Sequence, residues 1–209
     1  MANGTTTRGE DIKTPQATIA FAHNLFEPQE RDNGKKGYGA TLLFKKGAAD
    51  LSALQKAALA AATTKWGDKA VQWIKDGVVK SPFLDGDGPQ AVSKKTGDRH
   101  VGFAGTTFIR ISSGEDYKPK VFDRRRNPVL DKADVPSGSQ VVAVVNPYAW
   151  EHPQNGKGIS FGVSLVQVVK TAEGDEILGG GGGPDPDKWL EKLDDEGSAP
   201  KGDASGLFG

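Results

Sequence analysis

Period-two alternation recurs along this chain, and it confines the fold to one built mainly of strands. Ile159, Phe161, Val163 and Leu165 fall on one side of any extended backbone, as do Ile19, Phe21, His23 and Leu25. Two central stretches alternate differently. In 102–111 the even positions run Ala104, Thr106, Phe108 and Arg110, and in 118–124 they run Lys118, Lys120, Phe122 and Arg124. Side chains two apart on a strand share a face, so each stretch presents a ring beside cations. The polar link 112–117 is short enough to join the two as a hairpin.

The remaining elements follow from the same pattern. Strands are expected over 17–26, 38–46, 140–150 and 159–171, the last two forming a hairpin around Pro153-Gln154-Asn155-Gly156. Residues 50–66 are helical, with Leu51, Leu54, Ala58 and Ala61 on one stripe, and 68–75 form a second helix. Trp66 and Trp73 on these helices read as packing residues. Residues 1–15 lack periodicity and read as a disordered N-terminus. Gly179 to Gly183 form a five-glycine linker to an acidic flexible tail, making 179–209 a separate segment. About six short strands, Gly-rich turns and one helical insertion suggest a small sandwich or barrel. The expected fold is mainly β with a helical insertion: an OB-fold, a five-stranded Greek-key barrel plus an extra hairpin, over 16–178.

Charge is unevenly spread. The 209-residue chain is formally neutral, yet residues 171–209 hold ten acids and three bases, a net −7, which leaves +7 on residues 1–170. A basic body with an acidic tail points to a polyanionic partner. There is no cysteine, so disulfides and thiolate-bound zinc are excluded. No apolar run approaches the roughly 18 residues of a membrane-spanning helix. The N-terminus lacks the apolar middle of a secretory signal, and the chain reads as soluble and intracellular.

A sheet face carrying phenylalanine among arginine and lysine suits an unpaired nucleic acid strand, because rings stack on bases and cations meet phosphates. Phe108 and Phe122 are the expected stacking platforms, against the alternative of ordinary core residues. Arg110, Lys118, Lys120, Arg124 and Arg125 are the expected phosphate contacts, against that of a charged, solvated edge strand. Lys35, Lys36 and Tyr38 precede a strand, and Lys94, Lys95 and Arg99 flank the central pair; either set rims a binding face or serves solubility. Tyr148 and Trp150 share parity and either clamp a base or close one end of the fold.

Two further readings compete. A metal-dependent nuclease would use Asp85, Asp87, Asp98 and His100, which are close in sequence. The Asp85-Gly86-Asp87-Gly88 run opens like a calcium loop, but its twelfth position is Thr96 instead of a bidentate glutamate. His23, His100 and His152 have no metal-ligand spacing, so no metal or cofactor is expected. The third reading is a structural protein without a nucleic acid ligand, which the charge of the body disfavours.

A series of segments also resembles a known family. These are Tyr38-Gly39-Ala40-Thr41-Leu42-Leu43-Phe44-Lys45-Lys46, Pro82-Phe83-Leu84-Asp85-Gly86-Asp87, Asn127-Pro128-Val129, Pro136-Ser137-Gly138, Asn146-Pro147-Tyr148-Ala149-Trp150 and Gly158-Ile159-Ser160-Phe161-Gly162-Val163-Ser164-Leu165-Val166-Gln167. In order and spacing, from about Thr14 to Leu178, they resemble the tailed-phage single-stranded DNA-binding proteins of the Enterobacter-phage type. The resemblance implies an OB-fold, sequence-independent binding of single-stranded DNA in phage replication or recombination, no catalytic activity, and a place in the cytoplasm of the infected bacterial host. It also implies an acidic, aromatic-ended tail that docks replication or recombination proteins. Here the tail residues are Asp194, Asp195, Glu196 and the penultimate Phe208. No membrane partner is implied, and a homo-oligomer is one of the states this allows.

Overall fold

The computed structural model describes residues 7–30 and 34–179; the acidic tail beyond Gly179, with Asp194, Asp195, Glu196 and Phe208, lies outside the described residues. The first third of the chain contains β1 (Thr7–Arg8), β2 (Ile12–Lys13), β3 (Ala17–Ala20), β4 (Gln29–Glu30) and β5 (Lys36–Lys45). Helices α1 (Ser52–Trp66) and α2 (Lys69–Lys75) follow, then β6 (Val79–Lys80) and β7 (Leu84–Asp85). The remainder holds β8 (Thr106–Gly114), β9 (Lys120–Phe122), β10 (Gln140–His152) and β11 (Gly156–Lys170). The result is a mainly β protein with two helices and one mixed sheet.

The two long strands form the expected hairpin, paired from Gln140–Lys170 to His152–Gly156. Each then offers a free edge of N–H and C=O groups that must find partners. The other edge of β10 is filled in succession by β1, β2 and β3. This corrects the expectation of a disordered N-terminus over its described part. Backbone ladders need no side-chain pattern, and Thr14 adds its hydroxyl, which accepts from Ala143 N–H at 3.0 Å. The other edge of β11 is filled by β6, β8 and β9, all parallel to it. The central pair is therefore not a hairpin. Strands β8 and β9 lie end to end along β11, and residues 115–119 carry the chain from one to the other. Strand β3 pairs with β5 and β5 with β8, so the pairings run β10–β3–β5–β8–β11 and return to β10.

Inside this ring lie Ile19, Leu42, Phe44, Ile109, Ile111, Val141, Val145, Ile159 and Phe161, all essentially inaccessible to solvent. Helix α1 buries Leu54, Ala58 and Ala62 against this core, with Leu51 packed beside them; Ala61 of the expected stripe is buried as well. Trp66 and Trp73 pack edge to face at 6.3 Å. The predicted strand over 17–26 stops at Ala20, because Phe21 turns into the left-handed region (φ 56°) and a 3-10 helix follows.

Two departures from simple alternation shape the outer face. Val144 pairs with Leu165 but Val145 with Val163, so Ser164 is an extra residue in β11. Such a bulge resets parity. Val163 and Val166 point inward, while Leu165, expected on the apolar face, is turned out and 37% exposed. The second departure concerns Phe108. Its parity is as expected, opposite to Ile109, but the chain from Leu84 to Gly105 folds over that side. Ala91, Phe103, Ala20 and Leu43 cover the ring, which is 0% exposed. Phe103 meets it edge-on at 5.0 Å. Phe108 is thus a core residue of a second, smaller cluster and not an open stacking platform.

The covering segment is stapled by charge. Lys46 Nζ donates to Asp85 Oδ1 at 2.6 Å and to Asp87 Oδ2 at 2.8 Å. Asp87 Oδ1 also accepts from Arg99 Nη1 and from Gly105 N–H, each at 3.1 Å. Arg99 Nη1 donates to the Gly86 carbonyl at 2.7 Å. Lys46 holds both carboxyls below the usual carboxylate range.

Two outcomes follow. Truncating Phe108 to alanine should cost about 3–5 kcal/mol in denaturant unfolding; a loss well under 1 kcal/mol would contradict its burial. The carboxyl values are depressed in the folded state, so the staple contributes fully above about pH 4 and fades as the pH falls through the lowered values. Hydrogen-exchange protection in 86–105 should therefore drop relative to β10 and β11 as the pH falls below about 4 and through the depressed carboxyl values. A constant ratio would mean that these ion pairs do not hold the segment.

Candidate nucleic-acid interface

The outer face of the sheet carries a row of small residues. Gly39 pairs with Ser112, Ser112 with Gly162, and Gly162 with Asn146, across β5, β8, β11 and β10. Nothing bulky stands up from this row, because a β-carbon at Gly39 would lie 2.8 Å from the Ile111 carbonyl and one at Gly162 would strike Asn146 Oδ1. A cleft of about 600 Å³ opens over it. One wall is the connection after β8, with Tyr117, Lys118 and Lys120; the other is β10 and the N-terminal strand, with Tyr148 and Arg8.

Each side chain has a local reason for its place. Tyr117 N–H donates to the Gly114 carbonyl at 3.1 Å, and the ring passes 3.8 Å from the space a β-carbon on Gly114 would fill. The ring is otherwise open, at 75% exposure. The Lys118 ammonium stands 6.0 Å from the Phe26 ring centre, a cation–π distance. Lys120 is exposed and pairs opposite Leu165. Arg8 lies opposite Tyr148 in the ladder. Its guanidinium donates to Asp11 Oδ1 at 3.3 Å, and the same oxygen accepts from Asn146 Nδ2 at 3.3 Å. Asp116 is the one acid among the lining residues, against three cations.

The structure brings Lys118 and Lys120 together with Tyr148, which the sequence pattern groups with Trp150 instead. Phe122 is half-buried on the same outer face, just past Leu165. Arg124 and Arg125 are exposed on the turn after β9. Arg110 lies further along the outer face, 5.8 Å from the Phe108 ring centre, and donates to the Gln90 carbonyl at 3.2 Å. Lys94 and Lys95 are exposed on a turn of the covering segment, and Lys35 and Lys36 are exposed at the start of β5. Tyr38 is half-buried with the parity of the core residues Ala40 and Leu42. Arg99 is exposed, and its guanidinium is engaged in the staple. Trp150 covers Gly158, and its Nε1 donates to Ser160 Oγ at 2.9 Å.

Arg8 and Tyr117 escape sequence reasoning. Neither lies in a periodic segment, and only the adjacency of Tyr117 to Lys118 hints at a shared surface. The nuclease arrangement finds no support. Asp85 and Asp87 are bound to Lys46 and Arg99, and among the described residues no group of three or more acids or histidines is placed to hold a metal ion. No helix among them is long and apolar enough to cross a membrane.

Several solved structures share this fold. The single-stranded DNA-binding protein of bacteriophage Enc34, solved in complex with single-stranded DNA, has 20% identity over 79% of this chain and 89% of that one, with a TM-score of 0.54. A C-terminally truncated form of it has 21% identity, covering 78% and 87%, with a TM-score of 0.53. The single-stranded DNA-binding protein gp2.5 of bacteriophage T7 has 12% identity over 92% of this chain and 99% of its own, with a TM-score of 0.55. No curated protein sequence matches. The family model described as Enterobacter phage Enc34, ssDNA-binding protein, matches residues 10–197. The chain belongs to the Enc34 single-stranded DNA-binding protein family.

Proposed function

We propose that this chain binds single-stranded DNA without sequence preference, in phage replication or recombination within the host cytoplasm, and catalyses no reaction. The observation that carries this reading is the cleft in which an open tyrosine ring, Tyr117, stands among Arg8, Lys118 and Lys120 over a floor without large side chains. Rings take bases and cations take phosphates, and neither contact selects a sequence. The low floor lets a backbone approach the sheet. Tyr148 is a second ring in the cleft, Phe122 a further platform beside it, and Arg110, Arg124 and Arg125 are cations at its margins. Lys35, Lys36, Lys94 and Lys95 contribute at longer range.

The ring of strand pairings supports reading the fold as an OB-fold, a closed five-stranded Greek-key barrel. Strands β3, β5, β8, β11 and β10 are its members, and the contact between β8 and β11 is its parallel one. OB-folds commonly present one outer face to oligonucleotides. The acidic tail, with Asp194, Asp195, Glu196 and Phe208, supports a docking role toward replication or recombination proteins.

Fluorescence anisotropy with oligothymidine tests the reading. Reversing Lys118 and Lys120 together to glutamate should weaken binding by about tenfold or more at low salt and flatten the log–log salt slope by about 1.4, at about 0.7 per phosphate contact. Tyr117→Ala should cost about 1–3 kcal/mol of binding with unfolding unaffected. Binding that is insensitive to salt and to all three substitutions would remove this surface from consideration. Labelled DNA should keep its length on incubation with magnesium or manganese.

A further inference from the structure

The outer face does not end at Leu165. A second groove of about 360 Å³ shares that residue with the first and is lined by Lys13, Phe122, Arg126, Val142 and Val144. Leu165 lies at the junction because the Ser164 bulge turned it out of the core. Two successive N-terminal strands line the grooves: β1 supplies Arg8 to the first and β2 supplies Lys13 to the second.

Arg126 has an unusual backbone. Its φ is 66°, in the left-handed region that favours glycine. The turn that holds it there is firmly built. Asp123 Oδ1 accepts from Arg125 N–H at 2.7 Å and Asn127 N–H at 2.8 Å, and Oδ2 accepts from Asn127 Nδ2 at 2.8 Å. Gln167 Nε2 reaches across from β11 to the carbonyls of Asp123 at 3.3 Å and Arg124 at 3.4 Å. Glycine would satisfy such a backbone without strain. An arginine there places a cation beside the groove at a conformational cost, and strain of this kind gathers at binding sites.

We propose that single-stranded DNA continues from the first groove across Leu165 into the second, where Phe122 takes a base face and Arg126 and Lys13 take phosphates. This rests on the reading of the first cleft as a DNA site and extends its footprint. Continuity through Leu165 and the cations on both flanks favour a nucleic acid strand over a protein segment.

The test compares oligothymidines of about 5 and about 12 nucleotides, within the roughly 4–16 nucleotides one OB fold covers. Both are titrated into the full chain, the K13E/R126E double variant, F122A and R126G. The 12-mer should bind the double variant about tenfold or more weakly than the unmodified chain, with a salt slope flattened by about 1.4, while the 5-mer changes less than about twofold. F122A should likewise weaken the 12-mer selectively. R126G keeps the backbone conformation, so its melting temperature should be unchanged or raised while its affinity for the 12-mer falls. Equal losses on both oligonucleotides, or none on either, would overturn the second subsite. Tighter binding of both by the double variant would point to the acidic tail as the occupant and overturn it too. If the unmodified chain bound neither length, the reading of the first cleft would fail, and this extension with it.

Discussion

The hairpin of β10 and β11 is the constraint on which the rest of the molecule depends. Two strands of 13 and 15 residues cannot leave their outer edges unpaired without exposing long rows of donors and acceptors. One edge takes the N-terminal segments in succession, and the other takes β6, β8 and β9. The ring then closes through β5, and the interior is sealed by residues that alternate inward. The described N-terminal strands and the short central strands are ordered by these edges and not by strong preferences of their own. Isolated strands of two or three residues would not persist in water.

The same hairpin builds the surface. A single extra residue in β11, Ser164, changes which side chains look outward and places Leu165 between two grooves. Glycines at 39 and 162 keep the floor low where bulkier residues would collide with the neighbouring strand. The cations come from separate parts of the chain: Arg8 from β1, Lys13 from β2, Lys118 from the connection into β9, Lys120 from β9 itself and Arg126 from the turn after it. Convergence of charge on one face therefore depends on pairing, because no single segment carries the patch.

Several features of the fold are legible in the residues alone. The α1 stripe of Leu54, Ala58 and Ala61, the β10–β11 hairpin with its turn at 153–156 and the basic body all follow from spacing and charge. The stacking candidates show where such reasoning stops. Period two correctly separates Phe108 from Ile109, but it says nothing of the segment 84–105 that returns to cover Phe108. Arg99, read as a rim cation, also helps to hold that segment down. Arg8 lay in a stretch with no pattern at all, since the contact that orders it is made by backbone atoms.

Local spacing, then, decided the elements that carry their own periodicity and the sign of charge on the body. Only the assembled sheet decided which face stayed open, because exposure depends on what distant chain packs above a residue. It also decided the polarity of Leu165, because a bulge shifts every following side chain by one place and is defined by the partner strand as much as by its own. Hydrogen-bond pairing between remote segments is invisible in composition, and that pairing gathers Arg8, Tyr117, Lys118 and Lys120 around one cleft.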